Sequence, residues 1–270
     1  MAIITISRGS YSRGKKVAEG VAEKLGYRCL SREVILEASD HYHIPEIKMV
    51  KAIHDAPSIL ERLGRSKQAF IAYYQSALAS AVQNDNIVYH GLAGHLLLKG
   101  IPHILKVRII ADLDDRVRQE MKQNNITENE ARTLIVKDDQ ERRNWTHSLY
   151  GADPWDSSLY DLVIHIHKFT VSDAVDVICE AARLEHFKTT EEGQQKMDDL
   201  VLASQIKASL IDISNDIGVL SEYGNILVYT KADDRHLHRL EEKISLLHKE
   251  MKGINNIELH PRVPIPPEAI

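Results

Sequence analysis

Two glycines and two lysines in a single turn carry the clearest chemical signal of the chain. The sequence runs from Ile3-Ile4-Thr5-Ile6 through Ser7-Arg8-Gly9-Ser10-Tyr11-Ser12-Arg13-Gly14-Lys15-Lys16 into an amphipathic helical pattern. An apolar strand that leads into Gly-x-x-x-x-Gly-Lys at a helix start is typical of a phosphate-binding P-loop. In such a loop, main-chain N–H groups and the helix N-terminus converge on one anion. We therefore predict a phosphate site over residues 8–16.

The residue after Lys15 departs from that pattern. A P-loop usually has Ser or Thr there, and its hydroxyl holds Mg²⁺ beside the phosphates. This chain has Lys16 instead. The pattern therefore predicts phosphate binding more firmly than catalysis, and a surface turn that carries lysines remains the alternative.

Composition excludes several classes of protein. The 270 residues are 43% hydrophobic, which is enough for a sizeable core, and the formal net charge of -5 gives no basic excess for binding nucleic acid. No apolar run approaches the length that spans a bilayer, and no signal-peptide pattern precedes Ile3, so we expect a cytoplasmic protein. Cys29 and Cys179 lie far apart in apolar surroundings, which favours buried, reduced thiols.

Short apolar runs alternate with helical patterns through the first two thirds of the chain. The predicted strands are Ile3–Ile6, Arg28–Leu30, Ile87–His90, Ile104–Ile110 and Leu162–Ile166. The predicted helices cover 14–25, 32–82, 92–98, 114–123, 128–145 and 172–185. This alternation predicts an α/β fold with a five-stranded parallel sheet covered on both faces. Ligands of such sheets bind beyond the carboxyl ends of the strands, so the P-loop, the turn after Leu30 and His90-Gly91 should line one site.

The helix predicted from Glu128 begins with a capping box and carries many charges. The Thr127 hydroxyl and the Glu130 carboxylate are spaced to satisfy each other's backbone N–H groups. Asp138/Arg142 and Asp139/Arg143 are spaced i,i+4, which by itself predicts solvated ion pairs.

The order of these segments resembles the cytidylate kinase-like family of P-loop kinases over residues 2–186. The resemblance rests on segments that occur in the family's order. They are Ile4-Thr5-Ile6-Ser7-Arg8, Ser12-Arg13-Gly14-Lys15, Ala22-Glu23-Lys24-Leu25-Gly26-Tyr27, Ser31-Arg32-Glu33-Val34-Ile35, Ile87-Val88-Tyr89-His90-Gly91, Asn125-Ile126-Thr127-Glu128-Asn129-Glu130-Ala131, Asp139-Gln140-Glu141-Arg142-Arg143 and Tyr160-Asp161-Leu162-Val163-Ile164.

The resemblance implies a kinase that moves the γ-phosphoryl group of ATP, with Mg²⁺, to a nucleoside monophosphate, with CMP and dCMP the first candidates. It makes residues 31–82 the acceptor region and residues 124–150 an arginine-bearing lid. It gives Lys15 and Arg142 catalytic roles and residues 8–16 ATP binding, with no direct protein ligand to the metal. The substrate-binding residues that it implies are Arg32, Gly91, Asp139 and Arg143.

Two departures from the family leave a second function open. Relatives have Gly-Ser-Gly-Gly where this chain has Tyr11-Ser12-Arg13-Gly14, and they follow the third strand with Gly-Arg and then Asp. Here Gly91 is followed by Leu92-Ala93-Gly94-His95, so an arginine and an acidic residue are lost. The chain is therefore either a kinase with a degenerate site or a nucleotide-binding sensor with little or no turnover.

The histidines are less informative. His90 and His95 are interpreted as ordinary satisfied polar residues. His165 and His167 lie on one face of a predicted strand, as a metal-binding pair would, but the sequence offers no third ligand nearby, so we predict no metal site there.

The polar stretch from Lys188 predicts a linker over 188–197 between a kinase-like domain, 1–187, and a small α+β domain, 198–270. The second domain has the order α-β-β-α-β and resembles a BON domain over about 198–263. That resemblance implies a non-catalytic module with a small ligand or a protein partner. A homo-oligomer is compatible with the sequence.

Overall fold

The computed structural model describes residues 2–31, 34, 38, 40–42, 67–91 and 93–270. The part of the predicted acceptor region that includes Arg32, and also Leu92, lies outside the described residues. In the described part of the chain, every helix is too short or too polar to cross a lipid bilayer.

A five-stranded parallel sheet forms the first part of the molecule, as predicted. Its spatial order is β2-β3-β1-β4-β5, and each strand pairs in parallel with its neighbours. The strands are β1 Ile3–Arg8, β2 Arg28–Leu30, β3 Ile87–Tyr89, β4 Ile104–Ala111 and β5 Leu162–Ile166. The helices are α1 Gly14–Leu25, α2 Lys67–Val82, α3 Gly94–Leu97, α4 Leu113–Asn124, α5 Glu128–Tyr150 and α6 Val171–Ala182.

Alternation along the strands divides the interior into two cores. Ile3 lies in a first core with α2, and Ile4 lies in a second core with α1 and α6. Successive strand residues point to opposite faces of a sheet, so an uninterrupted apolar strand must be covered on both sides. Cys179 is buried in the second core, as predicted, whereas Cys29 is only partly buried, and both thiols are free.

The α-β-β-α-β order predicted for the C-terminal part is also confirmed. Its elements are α7 Glu191–Leu210, β6 Ile217–Glu222, β7 Asn225–Thr230, α8 Asp234–Glu250 and β8 Asn256–Pro261. β6 and β7 are antiparallel, and β8 joins β7 in parallel. A third core, which includes Val219, Val228 and Leu240, fills the space between this sheet and its helices.

The predicted linker is partly wrong, because residues 191–196 form the first turns of α7. The Thr190 side chain caps this helix by accepting a hydrogen bond from Gly193 N–H. Met197, Leu200 and Val201 then pack in the first core. These first turns are polar and show no helical repeat of apolar residues, so the sequence did not predict them as helix. The helix is stabilised by its packing in the first core. One helix therefore belongs to both parts of the molecule.

Candidate nucleotide-binding site

A cavity of about 600 Å³ lies at the carboxyl edge of the parallel sheet, where the fold places the predicted site. The loop after β1 forms one end of it, the ends of β2 and β3 form a second wall, and the lid helix α5 closes the third. The predicted site residues that line this cavity are Arg8, Gly9, Ser10, Tyr11, Arg13, Lys15, Lys16, Gly91, Asp139 and Arg142.

The P-loop keeps a glycine-like backbone at both positions where the sequence lacks glycine. Tyr11 and Arg13 have φ angles of 59° and 63°, in the left-handed region that usually requires glycine. The Tyr11 ring packs against the small cluster of Val117, Ala131 and Ile135. Arg13 Nε donates to Gln119 Oε1 at 3.0 Å. Both side chains are therefore held by helices around the loop, and these substitutions preserve the loop conformation.

Gly14 is the position in this loop where a side chain cannot fit. A Cβ atom there would lie 2.7 Å from Arg8 Cβ and 2.9 Å from Arg8 Cδ. The close approach seats the first turn of α1 directly against Arg8. Arg13, the N-cap residue, provides no side-chain acceptor to the first-turn N–H groups. Those groups, with the positive end of the helix dipole, remain available to an anion.

Positive charge converges at this end of the cavity. Arg8 lies at the end of β1, and its pKa is lowered by burial and then by the nearby charge of Arg142. The lid helix carries Arg142 to the same cavity wall. Two guanidinium groups that repel each other in a partly buried site are stabilised by an anion between them. Lys15 is largely exposed and forms a loose ion pair with Glu19 at 3.6 Å.

The lid is anchored on the P-loop through Asp139. Its Oδ1 accepts a hydrogen bond from Ser10 N–H at 2.9 Å, and its Oδ2 pairs with Arg116 Nη1 at 2.6 Å. The prediction that Asp139 pairs with Arg143 is therefore wrong. The predicted capping box of Thr127 and Glu130 is present and fixes the start of the same helix. Asp139 thus holds the lid in place over the loop.

Three predicted site residues do not face the cavity. Ser12 is buried, and its hydroxyl donates to Gly9 O at 2.9 Å, so it supports the loop from below. Gly14 contributes backbone and close packing rather than lining. Arg143 turns to Asp153, to which its Nε donates at 3.1 Å, and lies over the Trp155 ring at 4.5 Å. The i,i+4 spacing predicted Asp139 as the partner of Arg143. It could not predict Asp153, which lies in the loop after the helix.

Another part of the cavity wall is formed by residues that the sequence analysis missed or treated as ordinary. His90 and His95 are buried in its wall, and each has one ring nitrogen with no partner among the described residues. Burial, then the charges of Arg108 and Lys106, lower the His95 pKa from 6.5 to about 4. Arg108 lies in the middle of β4 and is 7% exposed. The sequence does contain a signal for this site, because a charged residue within the apolar run Val107–Ala111 is unusual in a buried strand.

Tyr89 explains the glycines after β3. A Cβ at Gly91 would lie 1.9 Å from the Tyr89 hydroxyl oxygen, and one at Gly94 would lie 2.6 Å from its ring. The Tyr89 hydroxyl in turn lies 2.5 Å from that of Tyr74, a cavity-lining residue of α2. The two glycines thus let the loop fold over a buried ring.

His165 and His167 meet a carboxylate that the sequence did not place near them. His165 Nε2 and His167 Nδ1 each lie 3.0 Å from a different oxygen of Asp112. Asp115 lies 3.5 Å from His167 Nδ1, so Asp112, Asp115 and His167 form a cluster of ligand type. Asp112, His165 and His167 are exposed to solvent and Asp115 is partly buried, and these side chains contact each other directly.

Comparisons with known proteins agree with this geometry. The profile of the cytidylate kinase-like family matches residues 3–168. A cytidylate kinase of Methanosarcina acetivorans is 31% identical over 97 residues, which are 36% of this chain and 53% of that protein. A cytidylate kinase of Sulfolobus acidocaldarius is 25% identical over 176 residues, 65% of this chain and 91% of that protein. The chain thus spans about half of the Methanosarcina kinase.

A crystal structure of an uncharacterized protein from Eubacterium ventriosum superposes with a TM-score of 0.52 at 20% identity. It covers 67% of this chain and 98% of that protein. At this identity the match establishes the fold alone, and it agrees with the five-stranded sheet described above.

Proposed function

Since the chain belongs to the cytidylate kinase-like family, we propose that it transfers the γ-phosphoryl group of ATP to a nucleoside monophosphate in the cytoplasm. CMP and dCMP are the first candidates for the acceptor. In this reaction the bond from the γ-phosphorus to the ADP oxygen breaks, and a bond to an acceptor phosphate oxygen forms. The relatives named above support the phosphotransferase class, and the acceptor is our proposal.

One observation carries this proposal: the loop after β1 keeps a glycine-like backbone although its sequence is degenerate. The left-handed angles at Tyr11 and Arg13 and the close approach of Gly14 to Arg8 all serve this conformation. Backbone in the left-handed region costs about 1 kcal/mol or more for each non-glycine residue. The loop keeps this conformation at Tyr11 and Arg13 despite that cost.

The lid supplies the group that acts on the transferred phosphoryl. Charge spreads over the equatorial oxygens during the transfer, and guanidinium groups stabilise it in a site that excludes water. We assign that role to Arg142, with Lys15 and the first-turn N–H groups of α1 holding the ATP phosphates. Lys15 is free to turn toward them, because its ion pair with Glu19 is long and exposed.

Mg²⁺ fits this cavity only in part. Lys16 leaves the P-loop without its usual hydroxyl ligand, but the lid places Asp138 and Glu141 on the cavity wall. Carboxylates there, with water and the substrate phosphates, are ligands that Mg²⁺ accepts. When bound, the ion would neutralise phosphate charge.

A second function, nucleotide sensing, is favoured by α7. This helix packs in the first core through Met197 and in the third core through Ile206. A nucleotide-dependent change near the first core would therefore alter the packing of α7 in the C-terminal part. The BON-like character of that part remains a prediction. In this alternative the ligand or partner of residues 198–270 responds to nucleotide binding.

Product analysis separates the two functions. The protein is incubated with ATP, Mg²⁺ and CMP, dCMP, UMP or AMP, and ³¹P NMR follows ADP and the new diphosphate. A kinase forms both in equal amounts. Arg142→Gln should reduce the rate at least about a hundredfold, a loss expected for a transition-state contact. Arg132→Gln is the matched control, because Arg132 pairs with Asp114 and Glu128 on the exposed surface of the same helix. ATP binding without turnover of any acceptor would support the sensor.

A further inference from the structure

A buried arginine, Arg108, lines the cavity and forms no ion pair with a carboxylate of the described residues. Arg108 Nη1 donates to Ser7 Oγ at 3.2 Å and to the Tyr160 hydroxyl at 3.4 Å, both long hydrogen bonds to neutral oxygens. Its guanidinium also lies 5.6 Å from the centroid of the Tyr160 ring. Among the described residues, no carboxylate forms an ion pair with Arg108. Asp153, whose pKa its charge helps to lower, is bound by Arg143.

The remaining groups in this part of the cavity wall are neutral hydrogen-bonding side chains. His95 stacks beside Tyr160 with ring centroids 4.7 Å apart, and its Nε2 is buried and has no partner among the described residues. His90 offers a second such nitrogen. Because its pKa is strongly lowered, His95 is neutral at physiological pH and adds no charge. One cation and neutral donors around an open space match one compact anionic group.

An aromatic ring stands at the rim of the same space. Trp155 lines the cavity, yet 53% of it is exposed. Arg143 covers one face of its ring, and the Trp155 N–H donates to Asp153 Oδ1 at 3.0 Å, which fixes the turn. Exposed tryptophan beside a cationic cavity is an arrangement that stacks planar rings.

We propose that Arg108 binds the anionic group of the phosphoryl acceptor and that Trp155 stacks on the acceptor's planar ring. This inference rests on the proposed function for the identity of the acceptor. It adds a second anion site to the cavity, distinct from the P-loop site of ATP. Removal of a buried charge from water is costly unless a partner compensates it. A ligand that completes the site would supply that partner.

Calorimetry with matched ligands tests this assignment. The full-length protein, with a non-hydrolysable ATP analogue present, is titrated with CMP, with cytidine and with inorganic phosphate. Arg108→Gln should weaken the binding of CMP and of phosphate at least about tenfold, because a charged hydrogen bond is lost. Cytidine, which lacks the anionic group, should bind both proteins equally, and Trp155→Ala should weaken it. Arg108→Lys should recover part of the CMP affinity, and Arg132→Gln should change nothing.

The outcomes distinguish this inference from the proposed function. If the ATP analogue binds and Arg108→Gln binds CMP as well as the wild type does, the inference is overturned and the function stands. If the ATP analogue does not bind, the proposed kinase function is wrong. The phosphate titration alone then tests whether Arg108 forms an anion site. Phosphate binding that Arg108→Gln abolishes supports the anion site, and equal or absent binding overturns it.

Thermal unfolding provides a readout that does not depend on affinity. Without ligand, Arg108→Met should unfold at a higher temperature than the wild type, because an uncompensated buried charge is removed. CMP should raise the unfolding temperature of the wild type by more than it raises that of Arg108→Met. A lower unfolding temperature for Arg108→Met combined with an undiminished CMP shift would contradict the assignment.

Discussion

Buried polar groups are treated differently in the two parts of the molecule. Asp199 in α7 accepts hydrogen bonds from Ser221 Oγ at 2.6 Å, from Tyr223 N–H at 3.0 Å and from Gly224 N–H at 3.3 Å. Around the cavity, by contrast, buried nitrogens of His90 and His95 have no partner among the described residues. Satisfied buried polar groups specify structure, whereas unsatisfied ones reduce stability and are retained where a ligand completes them. The Asp199 cluster therefore fixes a turn of the C-terminal part, whereas His90 and His95 keep hydrogen-bonding capacity that a ligand at the sheet edge can use.

The largest expected effect comes from removal of α7. A fragment of residues 1–187 lacks Met197, Leu200 and Val201, which are buried in the first core. Loss of three such side chains costs about 5–8 kcal/mol. We expect this fragment to unfold at a much lower temperature than the full chain and to lose ATP binding. A fragment of residues 1–212, which keeps α7, should recover both. A stable fragment 1–187 with full ATP affinity would show that the two parts are independent, as a flexible linker would allow.

The second largest effect is expected from a substitution in the C-terminal part. Asp199→Ala leaves the N–H groups of Tyr223 and Gly224 without their acceptor in the turn between β6 and β7, which should cost about 3 kcal/mol. Urea denaturation measures this loss. ATP affinity of the folded variant should stay unchanged, because Asp199 is not among the residues that line the cavity. A drop in ATP affinity with little change in stability would reverse the assignment of roles.

The smallest effect concerns His95 and pH. Its folded pKa of about 4 lies below the ordinary value of 6.5, so the unfolded chain binds the proton more tightly. The stability that this histidine contributes is complete above about pH 6.5 and is lost as the pH falls through about 4, by about 2–3 kcal/mol. His95→Gln should flatten the urea-unfolding profile over that interval relative to the wild type. His248→Gln, at an exposed site of α8, is the control, and parallel profiles for His95→Gln and wild type would contradict this prediction.

The sequence predicted the five-stranded sheet correctly, because apolar strands are local signals. The first strand, for example, needs only Ile3, Ile4 and Ile6 to be recognised. The placement of the Tyr11 and Arg13 side chains depends on contacts with α4 and α5, which no local pattern encodes. Arg108 and Trp155 were missed for the same reason, since the strand and the loop that carry them meet only in the folded chain. The start of α7 was missed because its packing partners lie in α2.

Gly14 allows the most direct test of the claim that this loop binds ATP phosphates. ATP is titrated calorimetrically into wild type, Gly14→Ala and Gly9→Ala. A Cβ at Gly14 would lie 2.7 Å from Arg8 Cβ, whereas one at Gly9 would meet nothing closer than 3.7 Å. We predict that Gly14→Ala lowers the affinity for ATP at least about tenfold and that the affinity of Gly9→Ala stays within about threefold of the wild type. Equal ATP affinity in all three proteins, or no ATP binding by the wild type, would contradict the account.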